Sequence, residues 1–166
     1  MKSLLIGSGN RLNKEIVHEL TPDREFTDVT TLDICGTPDI LWDLSNIPYP
    51  ISEQYDEIHA YEVLEHCGTQ GDEAFFFNQF NEFHRILKPG GLFCASVPNY
   101  TSIWAFGDPG HKRVLPFTAF NFLCEDFYSD VGKTPMADYR HLIKGYWASL
   151  GVQETENRIY IMLRTL

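Results

Sequence analysis

Two short stretches of this 166-residue chain carry residue types that can do ligand chemistry at an informative spacing. Gly7-Ser8-Gly9 follows the apolar run Ser3–Ile6, and Asp33 stands two dozen residues later, closing Thr31-Leu32-Asp33. Glycines directly after a strand let the backbone approach a ligand closely. A carboxylate ending the next strand can accept both hydroxyls of a ribose. Each feature alone has a plain reading, since GxG is often a tight turn and Asp commonly follows a strand as a turn residue. Together they point to nucleoside binding. A dinucleotide site would need a third glycine where Leu12 stands, and no GK[ST] of a P-loop occurs. What remains is a ligand held through ribose and adenine, with no pyrophosphate to cradle.

A second constellation lies in Gly107-Asp108-Pro109-Gly110-His111-Lys112-Arg113, the most polar segment of the last third. His111 there can serve as a base and Lys112 with Arg113 as an anion clamp, all carried on a lid. The competing reading is a solvated loop with ordinary surface charges. Tyr100 and Trp104 can stack on a planar acceptor or plug the site with apolar surface. Cys35, Cys67, Cys94 and Cys124 show neither CxxC nor finger spacing, so no metal ligands and no disulfide scaffold are read from them.

The elements that must position these residues follow from periodicity. Residues 3–6 form a strand, and Leu12, Ile16 and Leu20 recur at helical spacing before Thr21-Pro22. Further strands are expected at 31–33, Ile40-Leu41-Trp42 and Ile58-His59-Ala60. A helix capped by Asp72 places Phe76, Phe80, Phe83 and Leu87 on one stripe, and Lys88-Pro89-Gly90-Gly91 ends it before a strand over Leu92–Val97. Helices are expected at 117–124 and 137–149, and a strand hairpin at 152–154 and 158–163. Alternating strands and helices give an α/β fold with a mainly parallel sheet. Only residues 34–39 separate the second and third strands, too few for the usual parallel crossover. The third strand is therefore a stub or has lost its crossover helix, and the thinly covered sheet there is a candidate homodimer surface.

The formal net charge of −10 is uneven: residues 101–166 carry seven acidic and seven basic groups, so the excess lies in the first hundred. An acidic chain is a poor non-specific nucleic-acid binder. No apolar run reaches membrane-span length, and MKSLLI is too short for a signal peptide, so a cytoplasmic protein is expected. One domain over 1–166 is expected, with a cofactor half at 1–98, an acceptor or lid region at 99–147 and a terminal hairpin at 148–166. So short a chain leaves little room for elaborate acceptor recognition.

LLIGSGN (4–10), TTLDI (30–34), WDLSNIPYP (42–50), YDEIHAYEVLEH (55–66) and FHRILKPGGLFCASVPNY (83–100) run in an order that resembles the class I S-adenosylmethionine-dependent methyltransferases. The resemblance implies their Rossmann-like sheet, mostly parallel with an antiparallel C-terminal strand and here with reduced helices around strands two and three. It implies S-adenosyl-L-methionine as cofactor and S-adenosyl-L-homocysteine as product. Ile6, Gly7, Ser8 and Gly9 would line its methionine and ribose. Asp33 would take the ribose diol and Ile34 the adenine, with Asp43 and Leu44 at the adenine edge. Ala60, Tyr61, Glu62 and His66 would surround the sulfonium. Leu5 and Arg11 depart from the acidic residue and the glycine usual in the family.

Methyl transfer from a sulfonium is an in-line displacement, so the protein chiefly positions and desolvates, and a base is needed only for a protonated acceptor. No cysteine follows a proline, and Tyr61-Glu62-Val63 replaces the [DNSQ]PP[YFW] of amino-methylating DNA enzymes. A small-molecule acceptor is therefore favoured over nucleic acid, with Tyr100, Trp104, Lys112 and Arg113 as acceptor contacts and His111 as base. Two competitors stand beside this reading: a non-catalytic nucleoside-binding module of the same fold, and a nicotinamide-dependent oxidoreductase, disfavoured by Leu12.

Overall fold

Alternation along the strands decides which side of the sheet is dry. Leu4 and Ile6, Ile58 and Ala60, Phe93, Ala95 and Val97, and Ile159, Ile161 and Leu163 recur at every second position, and all enter one continuous core. In the computed structural model, which describes residues 1–166, these residues sit on β1 (Lys2–Ile6), β4 (Tyr55–Tyr61), β5 (Leu87–Pro98) and β7 (Arg158–Thr165). β2 (Asp28–Asp33), β3 (Ile40–Leu41) and β6 (Trp147–Glu154) complete one seven-stranded sheet in the order β3-β2-β1-β4-β5-β7-β6. The first five strands pair in parallel, and β7 runs antiparallel between β5 and β6. The expected mixed sheet is therefore present. β3 is a two-residue stub paired to Leu32 and Asp33, which resolves the short link before it. Ile34 and Leu41 stand exposed at this edge.

The dry face packs against α1 (Glu73–Ile86), whose first turn is capped by the Asp72 carboxylate accepting from the Phe75 N–H at 2.9 Å. The buried stripe is Phe77, Phe80, Phe83 and Ile86, rotated slightly from the expected one, so that Phe76 is only half-buried and Leu87 already belongs to β5. Gln79 is buried on the same face and donates to the Tyr49 hydroxyl at 3.3 Å.

Three expected helices change. Residues 117–124 give only α3 (Phe117–Asn121), preceded by a single turn, α2 (Trp104–Gly107). Residues 137–149 form one 3-10 turn at Arg140–Leu142 and then β6, because Trp147 must enter the core, where it packs against Phe80, Phe93 and His84. The helix expected through Leu12, Ile16 and Leu20 is absent, and Leu12 and Leu20 are exposed.

A buried polar network explains that last loss. The second sheet face carries Ser3, Glu57, His59 and Tyr61 at strand positions that alternate with the apolar ones. Glu57 is fully buried and accepts from Ser3 Oγ at 2.6 Å and Thr21 Oγ1 at 2.8 Å, while Lys14 Nζ lies 2.5 Å away. Residues 10–27 must therefore turn Lys14 and Thr21 inward, which a helix with a leucine stripe facing the sheet would not do. His59 Nδ1 lies 2.6 Å from the Tyr61 hydroxyl, which accepts from the Ile16 N–H at 3.3 Å, and His59 Nε2 lies 3.3 Å from Glu57. These partners fit a neutral imidazole with its proton on Nε2, accepting from Tyr61. Burial also holds the His59 pKa down.

Candidate functional site

At the carboxyl ends of β1 and β4 the chain opens a cleft of about 1070 Å³, wide enough for a nucleoside and a second small molecule. Its lining joins Gly7 to Asn13 on one side with Tyr61, Glu62, Glu65, His66, Trp104, Asp108 and His111 on the other.

The loop after β1 is shaped by its glycines. Gly7 has φ +66°, and a Cβ there would lie 2.7 Å from Val63 Cγ2, so only glycine lets this loop lie against the segment after β4. The Gly9 N–H donates to Asp33 Oδ2 at 2.9 Å, and the Ile34 N–H donates to Asp33 Oδ1 at 2.7 Å. Asp33 thus stands beside the glycine loop with both oxygens held by backbone donors. No helix follows the loop, so the helix N-terminus expected behind it is not there.

The segment after β4 is the other wall. Glu62 adopts φ +52°, sparsely populated for a residue with a side chain, while its N–H donates to the Ser96 carbonyl at 2.9 Å. This bend and the 3-10 turn Leu64–His66 put Glu62, Glu65 and His66 on the cleft. Burial raises the Glu62 pKa and the nearby Arg158 guanidinium opposes it, with Arg158 Nε 3.6 Å away. Glu65 is 2% exposed, neither of its oxygens has a hydrogen-bond partner, and burial pushes its pKa up to about 8. His111 Nδ1 is likewise buried without a partner.

No protein-family model matches this chain, and no curated protein sequence does. Solved structures match nearly all of it. A S-adenosylmethionine-dependent methyltransferase from Mesorhizobium loti is 14% identical, with TM-score 0.57 over 98% of this chain and 90% of that one. The N-methyltransferase NodS from Bradyrhizobium japonicum, solved with S-adenosyl-L-homocysteine, is 13% identical, with TM-score 0.55 over 99% and 77%. The 1,6-didemethyltoxoflavin-N1-methyltransferase from Burkholderia thailandensis is 13% identical, with TM-score 0.53 over 98% and 70%.

This chain has the class I methyltransferase fold.

On that methyltransferase fold the residues singled out from sequence divide into groups. Gly7, Ser8, Gly9, Tyr61, Glu62, His66, Trp104 and His111 line the one cleft. Ile6 and Ala60 are fully buried and Leu44 nearly so, leaving their side chains to shape the core. Asp43 accepts from the Ser45 N–H at 2.8 Å, and Ile34 and Tyr100 are exposed outside the cleft lining. Lys112 is exposed, and its N–H donates to the Glu65 carbonyl at 2.8 Å.

Arg113 requires a correction. It is buried rather than displayed on a lid, donating from Nε to the Leu64 carbonyl at 2.9 Å and from Nη2 to Gln79, with Phe75 against its guanidinium. A cation with those partners secures the turn that carries Glu65 and leaves no free clamp for an anion. Sequence reasoning missed Glu65, Glu15 and Arg158 as cleft residues. Glu65 sits in the VLEH stretch, three residues after Glu62, a spacing that could have flagged it. Arg158 comes from β7 and carries no local signal; only sheet order brings it within 3.2 Å of Glu15.

No helix of the structure is long and apolar enough to cross a membrane.

Proposed function

We propose that this chain binds S-adenosyl-L-methionine in the cleft and transfers its methyl group to a small-molecule acceptor. The observation that carries this reading is that the glycine loop beside Asp33 and the Glu62–Glu65–His66–His111 cluster open into one cavity. A nucleoside-binding loop and a set of proton-accepting groups therefore face the same space. The neighbours solved as methyltransferases, two of them with S-adenosyl-L-homocysteine, support the reading.

The residues present suit that cofactor. The backbone at Gly9 has open space where a Cβ would lie, so a ribose can approach it closely. Asp33 accepts from the Gly9 N–H on Oδ2 and from the Ile34 and Cys35 N–H groups on Oδ1, which leaves a lone pair on Oδ2 for a diol. Acidic side chains outnumber guanidinium groups along the cleft, Glu15, Glu62 and Asp108 against Arg11 and Arg158, with Glu65 able to ionise beside a cation, which favours a cationic ligand. When bound, the cofactor supplies a methyl carbon on a sulfonium, open to in-line displacement.

The chain's own part is positioning, exclusion of water and proton handling. Glu62 is held at a fixed angle by its bend and by Arg158. Trp104 offers apolar surface at the cleft, and His111 is placed to take a proton from an acceptor hydroxyl or ammonium.

Calorimetry with S-adenosyl-L-methionine, its demethylated product and NAD tests the first half. Binding of the first two but not NAD is expected, and NAD binding alone would overturn the reading. Turnover with a panel of small acceptors tests the second half, and cofactor binding with no turnover would favour a non-catalytic module.

A further inference from the structure

Glu65, His66 and His111 each direct one ligand-type atom to a common point, all within 4.8 Å of one another. We infer that this point is a binding site for one divalent transition-metal cation at the inner wall of the cleft.

Three observations carry the inference. The Glu65 carboxylate is almost fully buried and unbonded at both oxygens, an arrangement that costs several kcal/mol for an ionised group unless a partner supplies positive charge. No lysine or arginine contacts it: the Arg113 charge acts from further off while its Nε and Nη2 donate to Leu64 and Gln79, and the nearest formal partner is His111 Nε2, 3.8 Å from Glu65 Oε1. His66 is oriented as a ligand would be. Its Nδ1 lies 3.1 Å from the Gly110 carbonyl, which can only accept, so the proton sits on Nδ1 and the Nε2 lone pair is free. Gly110 makes this contact feasible, since a Cβ there would crowd His66 Nδ1 at 3.1 Å. Finally, the His66 and His111 rings meet edge to face at 4.7 Å, and His111 Nδ1 is buried without a partner.

Two imidazoles and one carboxylate suit manganese, iron, cobalt or zinc better than magnesium or calcium, which take oxygen ligands. Three protein ligands leave coordination positions for water or for an oxygen of the acceptor. Asp108 Oδ2 lies 3.8 Å from the same His111 Nε2 and adds negative charge beside the cluster. The inference rests on the reading of the cleft as an acceptor site and deepens it: with the cation bound, the His111 lone pair is held by the metal, so the base role proposed for His111 belongs to the cation-free site.

The test uses untagged full-length protein stripped with chelator and titrated with Mn2+ and Zn2+ by calorimetry, with Mn2+ also followed by electron paramagnetic resonance. One equivalent of saturable binding is expected, Mg2+ binding more weakly. Glu65→Gln, nearly isosteric, and His66→Ala, at a half-buried position, should each weaken it about tenfold or more. Absence of saturable binding, or binding unchanged in both variants, would overturn the proposal. The same samples are titrated with S-adenosyl-L-homocysteine. Cation binding without nucleoside binding keeps the metal site and removes the methyltransferase reading; nucleoside binding without cation binding does the reverse.

Discussion

Gly9 donates its backbone N–H to Asp33 Oδ2 at 2.9 Å, a bond that ties the loop after β1 to the end of β2. The bond sets the loop's distance from the carboxylate and leaves a lone pair on Asp33 Oδ2 available.

Asp33→Ala should weaken S-adenosyl-L-methionine binding by about 1–3 kcal/mol, or roughly 5- to 150-fold in Kd. Calorimetry reads this directly. Wild-type affinity in the variant would remove Asp33 from the ribose site.

Gly7→Ala should destabilise the protein by about 1–3 kcal/mol, because φ +66° disfavours a side chain and the added Cβ meets Val63. Adding Val63→Ala should recover only the part of the steric share due to the Val63 methyls, since its Cβ would still lie 2.8 Å from the new one. Urea unfolding of both variants measures the split, and an unchanged midpoint in Gly7→Ala would show that the loop relaxes freely.

Lys14→Met leaves Glu57 buried without its cation. The expected cost is about 3–5 kcal/mol, the usual penalty for breaking one side of a buried pair. Double substitution Lys14→Met with Glu57→Gln should cost less than the single one, and an equal or larger loss would show that the two side chains are not coupled.

Acid should destabilise the protein in two stages. Burial lowers the His59 pKa, so its contribution is complete above the unfolded value of about 6.5 and declines as pH falls below it. Burial alone would raise Glu57, but the hydrogen bonds around it, with Lys14 as the charged partner, hold it well below the carboxylate range. Its contribution is complete above the unfolded value of about 4.5 and is lost as pH falls toward the native one. Unfolding free energy measured from pH 8 to 3 should fall through both windows, and His59→Asn should flatten the upper one.

His111→Ala should lower turnover by about 100-fold or more and leave affinity for S-adenosyl-L-methionine essentially unchanged. Steady-state kinetics beside calorimetry separates the two effects. An equal fall in cofactor affinity would move His111 out of the acceptor half.

Much of the sheet was legible because strand patterns are local. The apolar runs at 3–6 and Leu92–Val97 mark strands by themselves, and Gly7-Ser8-Gly9 marks the end of the first. The lost helices show the limit of that logic. Leu12, Ile16 and Leu20 have helical spacing, yet Glu57 on a neighbouring strand draws Lys14 and Thr21 inward and overrides it. At 147–149 the demand of the core for Trp147 turns an expected helix into a strand.

The sequence by itself determined the α/β class, the parallel strands followed by a terminal hairpin, and the glycine loop with Asp33. Those properties depend on residue type and near neighbours along the chain. Only the tertiary structure decided that Arg113 faces inward, that Arg158 reaches Glu15 and Glu62, and that Glu65, His66 and His111 share one point. These depend on which strand ends adjoin and on which buried charges find partners. Such partners come from positions as far apart as residues 15 and 158, a separation that no local pattern encodes.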